Sequence, residues 1–164
     1  MGPFYPFEAK EKGVTPLSLG LIIGSFSIAY ILSAAISGKY LTKIGKGTGL
    51  RVGLLMVIIQ LFVLSSLKFI HSSYLFIGLS IAAMSIGGSG AALNVTCALA
   101  IINTNYPNER EKNLGFFEGG SGFGLLLGPL LGSLLYTIGG YCLPFLTFGT
   151  ISLLLFPEIQ RNLR

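Results

Sequence analysis

The sequence has no aspartate, no tryptophan and few charged residues of any kind. Charged side chains make up 10% of its 164 residues, whereas hydrophobic residues account for 52%. The mean hydropathy is +0.76. This composition excludes an ordinary water-soluble domain, because the apolar runs are too long and too numerous to be buried in one small core.

Residues that bind metals or act as nucleophiles are also scarce. The chain has one histidine, His71, and two cysteines, Cys97 and Cys142, which lie inside apolar runs. Their spacing fits neither a metal site nor a redox pair, so we expect no cofactor and no metal. The net charge is +5, but the bases lie in short segments between apolar runs. That distribution suits anionic lipid, and we expect no nucleic-acid partner.

Five apolar runs predict membrane-spanning helices, since a hydrocarbon core of about 30 Å needs about 20 residues. We place the spans at residues 16–37, 50–67, 74–102, 114–137 and 140–156. A polar lead that does not span the membrane precedes them. The predicted fold is therefore all-α, a polytopic membrane bundle of about five helices within a single domain covering residues 1–164.

The basic residues divide unequally between the two sides of this bundle. Three lie in the lead or before the third span, and eight lie near the connections after the first and third spans or in the tail. The group of three is Lys10, Lys12 and Lys68, and the group of eight is Lys39, Lys43, Lys46, Arg51, Arg110, Lys112, Arg161 and Arg164. The positive-inside rule places the larger group in the cytoplasm and the N-terminus outside or in a lumen.

The fourth span has a glycine at every fourth position, namely Gly120, Gly124, Gly128 and Gly132. On a helix these positions share one face and form a groove without side chains. In lipid, such a groove lets another helix approach closely. Pro129 lies inside the span and is expected to bend it, because proline lacks an N–H and its ring clashes with the preceding turn.

This span resembles the antiporter motif in the fifth helix of major facilitator superfamily transporters. The matching positions are Gly115, Gly124, Gly128, Pro129 and Gly132.

The segment G-K-Y-L-T-K-I-G-K resembles the signature loop between the second and third helices of the same family. Gly38, Lys43, Gly45 and Lys46 match that loop in residue type. Thr42 stands where the family usually has aspartate, so the carboxylate that helps to latch the two transporter halves is missing. Aligned in this way, the five spans correspond to the second to sixth helices of a partial major facilitator fold.

The lead is similar to vesicular amine and polyamine transporter-like members. The resemblance implies transport of a small solute, an organic cation or amine exchanged by alternating access. It also implies a longer or assembled protein, since the first helix and the second half of the usual fold are missing. The alternative is a non-transporting truncated protein or partner subunit that only packs with other helices.

The expected partners are the lipid bilayer, a small cationic solute and other transmembrane chains. The expected location is an intracellular vesicle membrane or the plasma membrane. Three residues are candidates for binding solute or a proton: Glu118, the only acidic residue inside a span, Gln60 and Tyr30. Polar groups facing lipid are costly, which favours an inward position for them. In the third span, Met84 occupies the position where family members often carry an arginine linked to proton or substrate handling.

An intramembrane serine protease is a further hypothesis, because residues 119–122 contain the G-x-S-G sequence of rhomboid proteases, with Ser121 as the nucleophile. That chemistry needs a histidine on a later helix. The histidine of this chain, His71, lies earlier and is expected at the opposite membrane face. We therefore expect no enzyme activity.

Overall fold

The computed structural model describes residues 4–70 and 72–162, which form six α-helices and two short 3-10 turns. The helices are α1 (Phe4–Glu11), α2 (Pro16–Ile44), α3 (Lys46–Ser66), α4 (Ser73–Asn105), α5 (Arg110–Gly139) and α6 (Cys142–Asn162). No strand occurs in these ranges. Helices α2 to α6 give five segments long and apolar enough to cross a membrane. The prediction of an all-α membrane bundle with five spanning helices is therefore confirmed.

Helix α4 lies at the centre of the bundle. It packs mainly against α2 and α3, and α3 packs in turn against α6. Helix α5 contacts α6 and, more weakly, α4. The buried positions of α4 are mostly glycine, alanine and serine. Small side chains let neighbouring helices pack closely in lipid, where apolar surface alone gives little drive to associate.

Glycines bring the central helices into backbone contact. A Cβ atom added to Gly53 of α3 would lie 2.8 Å from the carbonyl oxygen of Gly90 on α4. A Cβ atom added to Gly90 would lie 2.7 Å from the carbonyl oxygen of Gly53. Gly88 meets the backbone of Phe26 on α2 in the same way. These three positions hold α2, α3 and α4 together at distances that no larger residue allows.

The glycine groove of α5 is largely open in the part of the chain that the structure describes. Cβ atoms added to Gly115, Gly120, Gly124 or Gly128 would meet nothing within 4 Å, whereas Gly132 is buried. Helix α5 continues through Pro129. The predicted close contact of this groove with another helix is therefore not made by the described residues.

The segment that resembles the family's signature loop is mostly helical. Gly38 and Lys43 lie on the last turns of α2, which ends at Ile44, and α3 begins at Lys46. Gly45 between them has φ of 84°, a conformation that glycine adopts without a steric penalty. The expected loop is thus reduced to a single left-handed residue, because the helix continues beyond its apolar run.

Two lysines make contacts at opposite ends of the bundle. Lys46 donates a hydrogen bond to the hydroxyl of Thr104, which joins the start of α3 to the end of α4. At the other end, Lys12 donates to the carbonyl oxygen of Lys68 at 2.9 Å. Which end faces the cytoplasm stays a prediction. The side chain of Lys43 and the whole of Arg164 lie outside the described residues.

Candidate functional site

An open cavity of about 340 Å³ lies among α2, α3, α4 and α6. Its wall consists of Ile23, Phe26, Ser27, Gln60, Leu61, Leu64, Met84 and Phe145. The wall offers one hydroxyl, one carboxamide and one thioether, and the other side chains are aliphatic or aromatic. None of these eight residues is charged. A mostly apolar wall with a few polar groups is typical of sites for small molecules.

Gln60 is the predicted candidate that lines this cavity. It is buried, with 9% of the residue exposed. Its carboxamide lies directly against Gly87 of α4, where a Cβ atom would collide with it. The Nε2 group donates to Sδ of Met84 at 3.7 Å. Because a thioether is a weak acceptor, this N–H can exchange that contact for a stronger acceptor on a bound molecule.

Tyr30 lies one turn away from the cavity on α2. It is half-buried, and its ring stacks on that of Phe26 with 6.5 Å between the ring centroids. Phe26 lines the cavity, but Tyr30 does not. Tyr30 therefore contacts a residue of the wall and is not itself part of it.

Glu118 is separate from this cavity. It is exposed on α5, beside a shallow pocket that it shares with Glu111, Leu114 and Gly115. Lys112, a base near the start of the same helix, lies 3.6 Å from the carboxylate of Glu109. Lys112 is three residues from Glu109 and on the same side of the helix, whereas positions six apart point in different directions. The structure records no ion pair for Glu118 within residues 4–70 and 72–162.

Ser121, the candidate nucleophile, has no histidine partner within the residues that the structure describes. The Ser121 hydroxyl is exposed and donates to the carbonyl oxygen of Phe117 at 2.9 Å, a common backbone contact of serine in membrane helices. His71 lies outside the described residues. Within the described ranges, no group of three His, Cys, Asp or Glu side chains is placed to hold a metal ion.

Sequence patterns gave no indication that the lead packs onto the bundle. Tyr5 and Ala9 of α1 are fully buried against α4 and the start of α6, in a cluster that includes Phe76 and Tyr141. Burial raises the pKa of both Tyr5 and Tyr141, so their hydroxyls stay neutral. The one available signal was the spacing of Tyr5 and Ala9, which places two apolar side chains on one face of a short helix.

Comparison with known proteins gives several matches. A family model described as the Major Facilitator Superfamily matches residues 1–159. The MFS-type transporter SLC18B1 of Rattus norvegicus is 33% identical over 160 residues, which cover 96% of this chain and 34% of that protein. The vesicular acetylcholine transporter of Mus musculus is 28% identical over 153 residues, covering 92% of this chain and 27% of that protein. No solved structure matches the chain significantly.

These matches account for most of the chain and for a limited part of its relatives. The chain spans between about a quarter and a third of the length of the curated relatives that it matches. The matched residues include the glycine-rich span and the basic segment after the first span, which confirms the resemblance found in the sequence. Together with the five apolar helices, they show an integral membrane protein of a solute-transporter family. The chain belongs to the major facilitator superfamily.

Proposed function

We propose that the chain forms part of a transporter that moves a small organic cation, an amine, across a membrane by alternating access. In this mechanism two halves of the protein rock about a site near the membrane midplane. The chain supplies the second to sixth helices of one half, as one partial transmembrane domain over residues 1–164. It works as part of a longer or assembled protein, since it spans about a third of its relatives.

The observation that carries this proposal is the uncharged cavity among α2, α3, α4 and α6. Its wall holds no lysine or arginine that would repel a cation. Phe26 and Phe145 contribute aromatic rings to the wall, and an aromatic ring attracts a cation placed over its face by about 0.5–2 kcal/mol, the larger value applying where water is excluded. The carbonyl oxygen of the Gln60 carboxamide is an acceptor of the kind that binds an ammonium N–H. A neutral Met84 at the usual arginine position leaves the wall without a fixed positive charge.

The names of the relatives support the same class of solute. One group consists of vesicular acetylcholine transporters, and acetylcholine is an organic cation. The same name supports a vesicle membrane as the location, with the plasma membrane as the alternative. The cationic solute and the location are proposals for this chain.

Glu118 is a second candidate for binding the cation or a proton in the longer protein. Its side chain is exposed on α5, on a helix that has few contacts with the rest of the bundle. Acidic residues in membrane helices usually face the interior of a bundle or a water-filled path. Further helices placed against α5 would give Glu118 such surroundings.

The competing function is a membrane subunit that packs with other helices and moves no solute. The open glycine groove of α5 favours it, because such a surface suits helix packing without any solute. A transport measurement separates the two functions.

The test is solute uptake by a chimera in which this chain replaces the aligned segment of the rat relative. We would measure uptake of labelled acetylcholine and labelled spermidine into proteoliposomes, with labelled glucose as the neutral control. Ser27→Phe adds a ring to the cavity wall, and Ile28→Phe is its matched control because Ile28 adjoins Ser27 on the same helix and does not line the cavity.

We expect the chimera and its Ile28→Phe variant to take up at least one of the two cations. The Ser27→Phe variant should take up that cation at least tenfold more slowly. The amount of protein in the membrane must be equal in all three. Absence of cation uptake by a correctly inserted chimera would favour the packing subunit. Equal uptake by the two variants would remove the cavity from the transport path.

A further inference from the structure

The lead of the chain folds back onto one end of the bundle. In α1 and the turn after it, Tyr5, Ala9 and Val14 are 0%, 1% and 8% exposed. The turn depends on Gly13, whose φ of 74° favours glycine. The amide of Gly13 bonds the carbonyl of Lys10, and that of Val14 bonds the carbonyl of Ala9. The segment is therefore an ordered element with its own buried face.

The ammonium of Lys12 fastens this element to the connection between α3 and α4. Its Nζ donates to the carbonyl oxygens of Leu67 at 3.1 Å, Lys68 at 2.9 Å and Ile70 at 2.6 Å. These carbonyls lie just beyond the end of α3, where partial negative charge accumulates. The carbonyl oxygen of Leu67 also accepts from the amide of Ile70 at 3.2 Å. An ammonium has three N–H donors, so Lys12 can donate to all three carbonyls at once.

Two further contacts hold the same ammonium. The carboxylate of Glu8 lies 3.9 Å from Nζ, and the ring of Phe76 lies 5.5 Å from it. The side chains of Lys12 and Glu8 are only 12% and 14% exposed, so solvent screens this pair less than a surface pair. In addition, the hydroxyl of Ser73 donates to the carbonyl oxygen of Lys12 at 2.7 Å.

Aromatic rings connect the segment to the cavity wall through Tyr141. The ring of Tyr5 lies 6.4 Å from that of Tyr141, and Tyr141 lies 5.1 Å from Phe145, measured between centroids. Phe145, Leu64 and Met84 belong to both the cavity wall and the buried cluster that includes Tyr5. The segment thus covers a buried cluster that extends to one side of the cavity wall.

The packing under the segment is incomplete in its hydrogen bonds. The hydroxyl of Tyr141 is buried beneath the segment and has no hydrogen-bond partner within the described residues. A buried polar group without a partner costs about 1–3 kcal/mol, and contact with water on opening would recover that cost. The contacts of Lys12 oppose the opening.

We propose that residues 4–14 form a lid over this buried cluster and that Lys12 is the residue that latches it. Loss of the latch exposes the cluster while the five long helices stay folded. The proposal goes beyond transport, and its test measures access to the bundle without any solute. It therefore stands or fails separately from the proposed function.

The two native cysteines report on opening at different depths. Cys142 is half-buried and packs against the cluster that the lid covers, and its Sγ donates to the carbonyl oxygen of Ser65 at 3.2 Å. Cys97 is fully buried against Gly49 on α3, away from the lid. In the purified 164-residue chain, the rate of maleimide labelling at each thiol is followed by mass spectrometry for wild type, Lys12→Ala and Lys10→Ala. Lys10 is exposed and serves as the matched control.

We expect Lys12→Ala to speed the labelling of Cys142 by about tenfold or more, the effect of losing one charged hydrogen bond. Labelling of Cys97 and the behaviour of Lys10→Ala should match wild type. An unchanged rate at Cys142, or an equal increase at both cysteines, would overturn the proposal. If Lys12→Ala does not fold, hydrogen exchange of the wild-type amides tests the lid instead. Exchange of amides 4–14 as one unit, faster than the centre of α4, supports the lid, and equal rates overturn it.

Discussion

Replacement of Gly90 by alanine should weaken the centre of the bundle. The added Cβ atom would lie 2.7 Å from the carbonyl oxygen of Gly53, 2.8 Å from Cβ of Met56 and 3.2 Å from the backbone nitrogen of Val57. Carbon atoms at optimal contact are about 3.5–4.0 Å apart, so α3 and α4 must separate by several tenths of an ångström. Two of the three obstructing atoms belong to backbone and cannot move aside alone.

The expected loss of stability is about 1–3 kcal/mol, the usual cost of overpacking a tightly packed contact. Gly78→Ala is the matched control, because Gly78 lies on the same helix with nothing within 4 Å of its added Cβ. That change should be neutral or stabilise by up to about 1 kcal/mol, since alanine is the better helix former.

The assay is unfolding of the purified chain in mild detergent, followed by labelling of Cys97, which is fully buried in the folded state. We expect Gly90→Ala to unfold at a lower denaturant concentration than wild type, and Gly78→Ala at the same or a higher one. Equal stability of the two variants would show that α3 and α4 are not in backbone contact at Gly90.

Three other predictions concern topology and the surface of α5. Glycosylation tags inserted near Gly2 and Ser72 should be modified and one near Asn108 should not, and the reverse pattern would invert the topology. Gly124→Leu should change the stability of this chain by less than about 0.5 kcal/mol but destabilise the longer chimera by about 1–3 kcal/mol. No effect in either would place the groove against lipid. Glu118→Gln should abolish cation uptake by the chimera at an unchanged amount of protein in the membrane, and unaltered uptake would exclude Glu118 from the mechanism.

The membrane class and the long helices could be predicted from sequence because they depend on local composition. Helix contacts depend on rotation and neighbours, which the pattern does not specify. The regular glycines of α5 predict a close helix contact, yet the backbone contacts between helices are at Gly53, Gly88 and Gly90. A groove of small residues marks where a helix can approach, and only the fold decides which groove is filled.

The candidate site was predictable to a similar extent. Gln60 was found because an amide inside an apolar run needs an inward position. Phe145 could not be distinguished from lipid-facing residues, since apolar side chains suit both surroundings. The position of Glu118 along α5 follows from the sequence, but the direction of its side chain does not. Lys12 was counted only as a surface charge, because its acceptors are backbone carbonyls more than fifty residues away.

The most direct test of the cavity as a solute site is protection of a single cysteine in its wall. Ser27→Cys, in a chimera without other accessible cysteines, places the thiol among Phe26, Gln60 and Met84. Solute in the cavity should slow maleimide labelling of this thiol in proportion to its occupancy. We predict that acetylcholine or spermidine slows labelling at Ser27→Cys but not at Ile28→Cys, which faces outward on the same helix. Equal labelling rates with and without either cation at saturating uptake concentrations would contradict a solute site in this cavity.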